Sequence, residues 1–418
     1  MAERSSAAVR CDKMFHTHAM QPRSFRFDPE AMVLDPPHLK KVIYVDQFAI
    51  SEMVKAINPR SKAHARVDRF WREVFEALER VCKLQLVVCP WSPIHRDESL
   101  VSDMFEPLKR MYEHLANGVG FLRSTEIELR QINTALVAWL DGKEPDHDPN
   151  PERITTGSLH RWHGRFLVTV SMDYPSERLR DIRHRRTRLN RSLAQWFEEC
   201  RRRPDKSFDH ALMIECDGYR DVLLGAYQDM VKRENELLSL VEAATGEPLP
   251  FKVENLAPLI GAGSEQVWLI LEVLKRRGVA KGDIAQLLSD FLNSEHFRGM
   301  PINKISTRLF GVIAHAAANH QKKPPDQGTA NDIDLVSAYL PYCDAMLIDD
   351  RTRAMLDKGV PKKYTLNYPC RVFSTNTVNE FVAYLKRVEE EADPFILALV
   401  RDAYGEDRLK PYMAMFDA

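Results

Sequence analysis

Two stretches decide how this chain folds: Lys41-Val42-Ile43-Tyr44-Val45-Asp46 and Asp344-Ala345-Met346-Leu347-Ile348-Asp349-Asp350. Each is a short apolar run, β-branched or aromatic in the first case, that ends in carboxylate. Such runs predict strands buried on both faces, as in a parallel sheet. A third run, Leu84-Gln85-Leu86-Val87-Val88-Cys89, stops at Pro90. A fourth, Arg371-Val372-Phe373-Ser374, follows the second. Helical spacing fills the intervals around them: through 48–54, then Phe70, Val74, Phe75, Leu78 and Val81, then 331–338, 353–358 and 378–391. Strands alternating with helices imply right-handed crossovers and a mostly parallel α/β sheet.

The two halves of this pattern are far apart in the chain. Between them the strand signals stop, and segments 121–140, 188–200, 221–244, 267–277 and 284–292 show helical spacing. Breaks fall at Asp146-His147-Asp148-Pro149, Arg203-Pro204, Gly246-Glu247-Pro248 and Gly299-Met300-Pro301. The expected organisation is an arm over 1–38, a first α/β part over 39–116, an all-helical insert over 117–322, a second α/β part over 323–392 and a helical extension over 393–418.

Composition narrows the class. The 418 residues hold 59 Lys and Arg against 60 Asp and Glu, a net charge of −1. Nucleic acid, if bound, must therefore meet a local patch and not a generally basic surface. With 44% apolar and 28% charged residues the chain reads as globular and not disordered. Seven scattered cysteines, with no Cys-x-x-Cys pair, argue against a disulfide framework or a structural zinc site and for reducing cytosol. The first twenty residues carry charge and lack the apolar core of a signal peptide, and no run of about 18 apolar residues offers a membrane span. The expected location is the cytoplasm.

The chemistry is expected at the carboxyl ends of the strands, where open α/β sheets place their sites. Asp46 ends one strand and Asp349-Asp350 another; Glu98 lies just beyond a third, and Asp332 and Asp334 stand at a helix start. Carboxylates gathered in one crevice repel one another unless a cation neutralises them. Mg²⁺, which takes oxygen ligands and keeps several waters, is the natural partner. Such a site suits phosphodiester hydrolysis.

Tyr44-Val45-Asp46-Gln47 resembles the first motif of PIN-like nuclease domains. Ser92-Pro93-Ile94-His95-Arg96-Asp97-Glu98 is similar to the second, with Ser92, His95 and Glu98 three apart on one helix face. The stretch from Asn331-Asp332-Ile333-Asp334 through Leu340-Pro341-Tyr342-Cys343-Asp344 to Leu347-Ile348-Asp349-Asp350 resembles the third, and Val372-Phe373-Ser374 with Asn379-Glu380-Phe381 the close of the domain. The likeness covers about 35–115 and 325–390. It implies a metal-dependent endoribonuclease using Mg²⁺ or Mn²⁺, with Asp46, Glu98, Asp334 and Asp349 as the catalytic acids. Asp332 is an alternative to Asp334, and Asp350 to Asp349. Ser92 and His95 would contact substrate; His95 would otherwise orient Glu98 or simply pack against the Ser92 turn.

Arginines 178, 180, 183, 185, 186, 188, 191 and 201–203 form the densest basic cluster. They read either as a solvated face balanced by Glu177, Asp181, Glu198 and Glu199 or, through Arg183, Arg185, Arg186 and Arg188, as a phosphate-binding surface. Trp162, near that charge, either stacks on a base or packs in the core. Arg178 and His184 have the Arg-x5-His spacing of metal-free HEPN-type ribonucleases, a weaker alternative. No P-loop, Gly-x-Ser-x-Gly or His-Glu-x-x-His occurs. The expected protein is thus an RNA-cleaving nuclease with a substrate-selecting insert and a protein regulator, in the manner of a toxin or phage-defence effector; an inactive nucleic-acid-binding scaffold is the rival.

Overall fold

The computed structural model describes residues 39–61, 69–100, 102, 104–162, 176–245 and 263–416. The expected arm over 1–38 lies outside them. In chain order the elements are β1 (Lys41–Val45), α1 (Gln47–Ile57), α2 (Arg69–Lys83), β2 (Val87–Val88), α3 (Pro93–Ser99), α4 (Phe105–Ala116), β3 (Gly120–Phe121), α5 (Ser124–Leu140) and β4 (Thr155–Thr156). Then follow α6 (Ser176–Arg201), α7 (Phe208–Thr245), α8 (Ser264–Arg276), α9 (Ile284–Asn293), α10 (Glu295–Arg298), α11 (Pro301–Ala318) and α12 (Gln327–Tyr339). The chain closes with β5 (Ala345–Leu347), α13 (Asp350–Ala354), β6 (Arg371–Phe373), α14 (Val378–Glu390) and α15 (Pro394–Tyr404).

Four strands form one parallel sheet in the order β2-β1-β5-β6. Side chains alternate across it because the strand period is two. Ile43 and Val45 of β1, with Ala345 and Leu347 of β5, face a core shared with α1, α2, α4, α14 and α15. Val42, Tyr44, Met346 and Ile348 face the opposite core, built with α5, α6, α11 and α12. Both faces are covered, which is why these strands are continuously apolar. The second core holds a stacked pair, Phe121 and Tyr339, with ring centroids 4.1 Å apart; Tyr44 packs against both. A third apolar cluster joins α5 to α7, α8, α9 and α10 through residues such as Leu136, Leu223, Ile270 and Phe291, away from the sheet. Among the described residues, no helix is long and apolar enough to cross a membrane.

Several boundaries differ from the sequence reading, each for a local reason. The run 84–89 supplies only two strand residues. Gln85 adopts a left-handed backbone (φ 62°), and its side-chain amide donates to the carbonyl of Lys83, so the first half of the run turns the chain out of α2. The interval from 100 to 320 is not free of strands: β3 and β4 pair antiparallel, Gly120 opposite Thr156 and Phe121 opposite Thr155. Two-residue strands carry no alternation to recognise. Helix α12 begins at Gln327 and not near Asn331. Asp326 caps it, its carboxylate accepting from both the backbone N–H and the hydroxyl of Thr329.

Candidate metal centre

Strands β1 and β5 are adjacent, parallel and in register, Val45 beside Leu347. Whatever follows them therefore emerges at one edge of the sheet. Asp46 is the residue after β1 and N-caps α1; Asp349 stands two residues after β5 and N-caps α13. The third member comes from the first half of α12, which starts near this edge and runs from it to the beginning of β5. A carboxylate oxygen from each of Asp46, Asp332 and Asp349 lies within 4.8 Å of the other two. Three acids separated by up to 303 positions in sequence thus share one hollow at the carboxyl ends of the two central strands.

The capping geometry decides which oxygens face the hollow. One oxygen of Asp349, Oδ1, accepts the backbone N–H groups of both Arg351 and Thr352, at 2.8 and 3.0 Å. Its other oxygen, Oδ2, is buried and has no hydrogen-bond partner among the described residues. At Asp46, Oδ1 accepts from the Gln47 N–H and lies 3.3 Å from Nε2 of His95. Buried oxygens left unpaired cost free energy unless something supplies positive charge. Asp332 shows the same demand. Burial and the charges of Asp46, Asp349, Glu98 and Asp326 push its carboxyl up to about 8. The donor set is all carboxylate, which suits a hard divalent ion such as Mg²⁺ or Mn²⁺.

The expected acids do not all meet there. Asp334 is in the wrong place: two residues along a helix rotate a side chain by about 200°, so Asp332 and Asp334 face opposite sides of α12. Asp334 instead accepts the Ser124 hydroxyl at 2.6 Å, and burial raises its pKa. Of the Asp349-Asp350 pair, Asp349 is the member of the cluster; Asp350 accepts the Asn376 N–H and ties α13 to the turn after β6. Glu98 borders the hollow, near enough to act on Asp332, but accepts 2.6 Å from the side-chain amide of Asn331.

The other named residues fall as follows. Ser92 is buried and caps α3, its hydroxyl accepting from the Ile94 N–H, so it presents no surface to a substrate. His95 is 1% exposed and likewise unavailable to one. Its ring is held at both nitrogens, Nε2 3.0 Å from the Tyr44 hydroxyl and Nδ1 3.1 Å from that of Tyr112. With the proton on Nε2, the ring donates to the Tyr44 hydroxyl while Tyr112 donates to Nδ1. His95 therefore lies against Asp46, 3.3 Å from its Oδ1, and not against Glu98. Trp162 is buried and stacks on Tyr404, as a core residue does. Arg188 and His184 are exposed on α6; the side chains of Arg178, Arg183, Arg185 and Arg186 lie outside the described residues.

Tyr112, Asn331 and Arg351 escaped the sequence reading as parts of the site. Tyr112 sits at a core position of α4, so its hydroxyl gave no separate signal. Removing the His95 ring should loosen Asp46. We expect His95→Ala to weaken Mn²⁺ binding by about 10- to 100-fold, with His95→Gln recovering part of it. Titration calorimetry checks this; a variant that melts earlier yet binds Mn²⁺ as the parent does would reduce His95 to packing.

The chain matches no family model, no curated protein and no solved structure in the searches made with it. What fold and site define by themselves is an α/β protein with a parallel four-stranded sheet and a carboxylate triad at its carboxyl edge.

Proposed function

We propose that this protein is a PIN-like, divalent-metal-dependent nuclease that hydrolyses phosphodiester bonds, with RNA as the favoured substrate. The observation that carries the reading is the shared hollow of Asp46, Asp332 and Asp349, with the Asp349 Oδ2 buried and unpaired. The sheet order β2-β1-β5-β6, with acids following both central strands, supports the PIN-like comparison. In this reading the elements from β3 to α11 are an insert into that domain, and α5 joins the two through both its apolar faces.

Asp46, Asp332 and Asp349 would hold Mg²⁺ or Mn²⁺, and Glu98 would join them on release from Asn331 or act from just outside. The bound cation would neutralise the carboxylates and the charge growing on the phosphate oxygens. The chain's own residues do the positioning. The helix caps fix Asp46 and Asp349, and His95, itself held by the Tyr44 and Tyr112 hydroxyls, lies against Asp46. Hydrolysis joins a water oxygen to phosphorus and breaks one P–O ester bond, the proton ending on the leaving oxygen.

The test is cleavage of a labelled RNA and of single-stranded DNA of the same sequence, with Mg²⁺, Mn²⁺ or EDTA. Cleavage that needs the metal and vanishes in EDTA is the expected result. RNA retained intact with undiminished affinity would make the protein a binding scaffold. Cleavage that survives EDTA and is lost in His184→Ala would move the chemistry to α6.

A further inference from the structure

Helix α6 is about 39 Å long at 1.5 Å per residue, and its two halves differ. The second half belongs to the core: Leu193 is buried, and Phe197 and Cys200 are buried in the cluster shared with α11 and α12. The first half is basic. Between 178 and 191 seven arginines stand against a single acid, Asp181. Arginines near the end of α6 have carboxylate partners, Arg201 with Glu198 and Arg203 with Glu215. Arg188 and Arg191 are exposed and have none among the described residues.

The junction between the halves lies beside the acidic hollow. Asn190 Oδ1 accepts from the backbone N–H of Gln327, the first residue of α12, at 2.7 Å. On the same turn Arg351, exposed and next but one to Asp349, donates from Nη1 to the Thr329 hydroxyl at 2.8 Å. Asp332 lies three residues beyond Thr329, about 4.5 Å further along the helix axis. Arg188 and Arg191 thus stand on the exposed side of α6, on either side in sequence of the Asn190 that meets the start of α12, and Arg351 meets α12 one turn before Asp332. A triad of acids repels a polyanion by itself, so a nearby row of planar guanidinium groups is what a phosphate chain needs to approach it.

We propose that the basic half of α6, joined by Arg351, is the track for the phosphodiester backbone of a nucleic acid strand that enters the hollow at the first turn of α12. The inference rests on the nuclease reading only for what happens at the end of that track. Binding along it is electrostatic and weakly sequence-dependent, and should fall steeply with salt.

The experiment uses the full chain carrying Asp46→Asn, so that the strand stays intact. Binding of a labelled 20-nucleotide RNA, and of single-stranded DNA of the same sequence, is followed by anisotropy over a salt series. Arg188→Ala with Arg191→Ala should reduce the slope of log affinity against log salt by about 1.4, at 0.7 for each lost phosphate contact. Arg188→Glu with Arg191→Glu should lower affinity by well over tenfold, while Arg276→Glu on α8 leaves it unchanged. Mn²⁺ binding by the same double variants, made without Asp46→Asn, reports that the fold and the triad are intact. An unaltered slope and affinity in the charge-reversed protein would overturn the track. So would equal capture of polyglutamate, which would mark α6 as a surface for acidic protein. RNA held by α6 in a protein that neither binds Mn²⁺ nor cleaves would uphold the track while ending the nuclease reading.

Discussion

Asp349→Asn is expected to abolish metal-dependent cleavage while leaving the fold as stable as before, or more so in EDTA. The reason lies in how the two carboxylate oxygens are used. Oδ1 caps α13 by accepting from Arg351 and Thr352, and an asparagine carbonyl does this equally well. The Oδ2 position, buried and unpaired in the wild type, becomes an amide N–H₂ that repels a cation. A ligand is lost without loss of a cap. If the ligand contributes about 4 kcal/mol of transition-state charge stabilisation, the rate falls by about 10³. Asp46→Asn should behave alike, because its Oδ1 also caps a helix. Asp350→Asn is the control: its Oδ1 is engaged by the Asn376 N–H, so Mn²⁺ affinity should stay within about twofold of the parent. Single-turnover cleavage and calorimetric Mn²⁺ titration measure all three. Unchanged Mn²⁺ affinity in Asp349→Asn would remove this residue, and with it the hollow, from the proposal.

The sheet was readable because burial on both faces forces a distinctive composition. Lys41–Val45 and Ala345–Leu347 have almost no polar residue, and only a doubly covered strand tolerates that. Tertiary context set what the pattern left open. Leu84 and Leu86 are buried, as their hydrophobicity suggests, but they line a turn held by a left-handed Gln85. The four-residue advance in the start of α12 has a readable cause in hindsight: Asp326 with Thr329 three residues later is a cap, but Gly328 between them looks like linker. That shift matters for the site. Asp332 and Asp334 read as neighbours at a helix start, where either is free to turn inward; inside a regular helix they must part, and only Asp332 reaches the strands' edge.

The partners of the acids were the least legible part. Strand-end aspartates announce themselves by position, whereas the side chains that hold them are scattered and carry ordinary core or surface signatures. His95 stood out, three residues before Glu98 on α3, and its obvious partner was therefore Glu98. Its ring instead faces β1, where Tyr44 brings a hydroxyl from the very strand that delivers Asp46. No spacing rule relates Tyr112, on α4, to either residue; packing of α3 on α4 does.

Asp332→Asn should stabilise the metal-free protein at alkaline pH by more than any other single change near the hollow. In the unfolded chain this carboxyl titrates near 3.9; in the fold, burial and then the neighbouring charges of Asp46, Asp349, Glu98 and Asp326 raise it to about 8. The folded protein therefore binds this proton more tightly than the unfolded one. Raised affinity for a proton in the folded state means that stability declines as pH climbs from about 4 to about 8, and the full penalty applies above that. At about 1.4 kcal/mol per tenfold difference in proton affinity, the penalty is on the order of several kcal/mol. Asparagine has no proton to lose, so the variant and the parent should converge near pH 4 and diverge steadily towards pH 9, with the variant more stable. Added Mn²⁺ should reverse the comparison: it neutralises the parent's triad and lifts its melting temperature by mass action, whereas the variant lacks a ligand and responds little. Urea unfolding in EDTA and in Mn²⁺, repeated at intervals from pH 5 to 9, measures both halves. A parent whose stability in EDTA is flat across that range, or an Asp332→Asn protein that gains from Mn²⁺ as much as the parent does, would mean that these three acids do not act on one another as a single charged site.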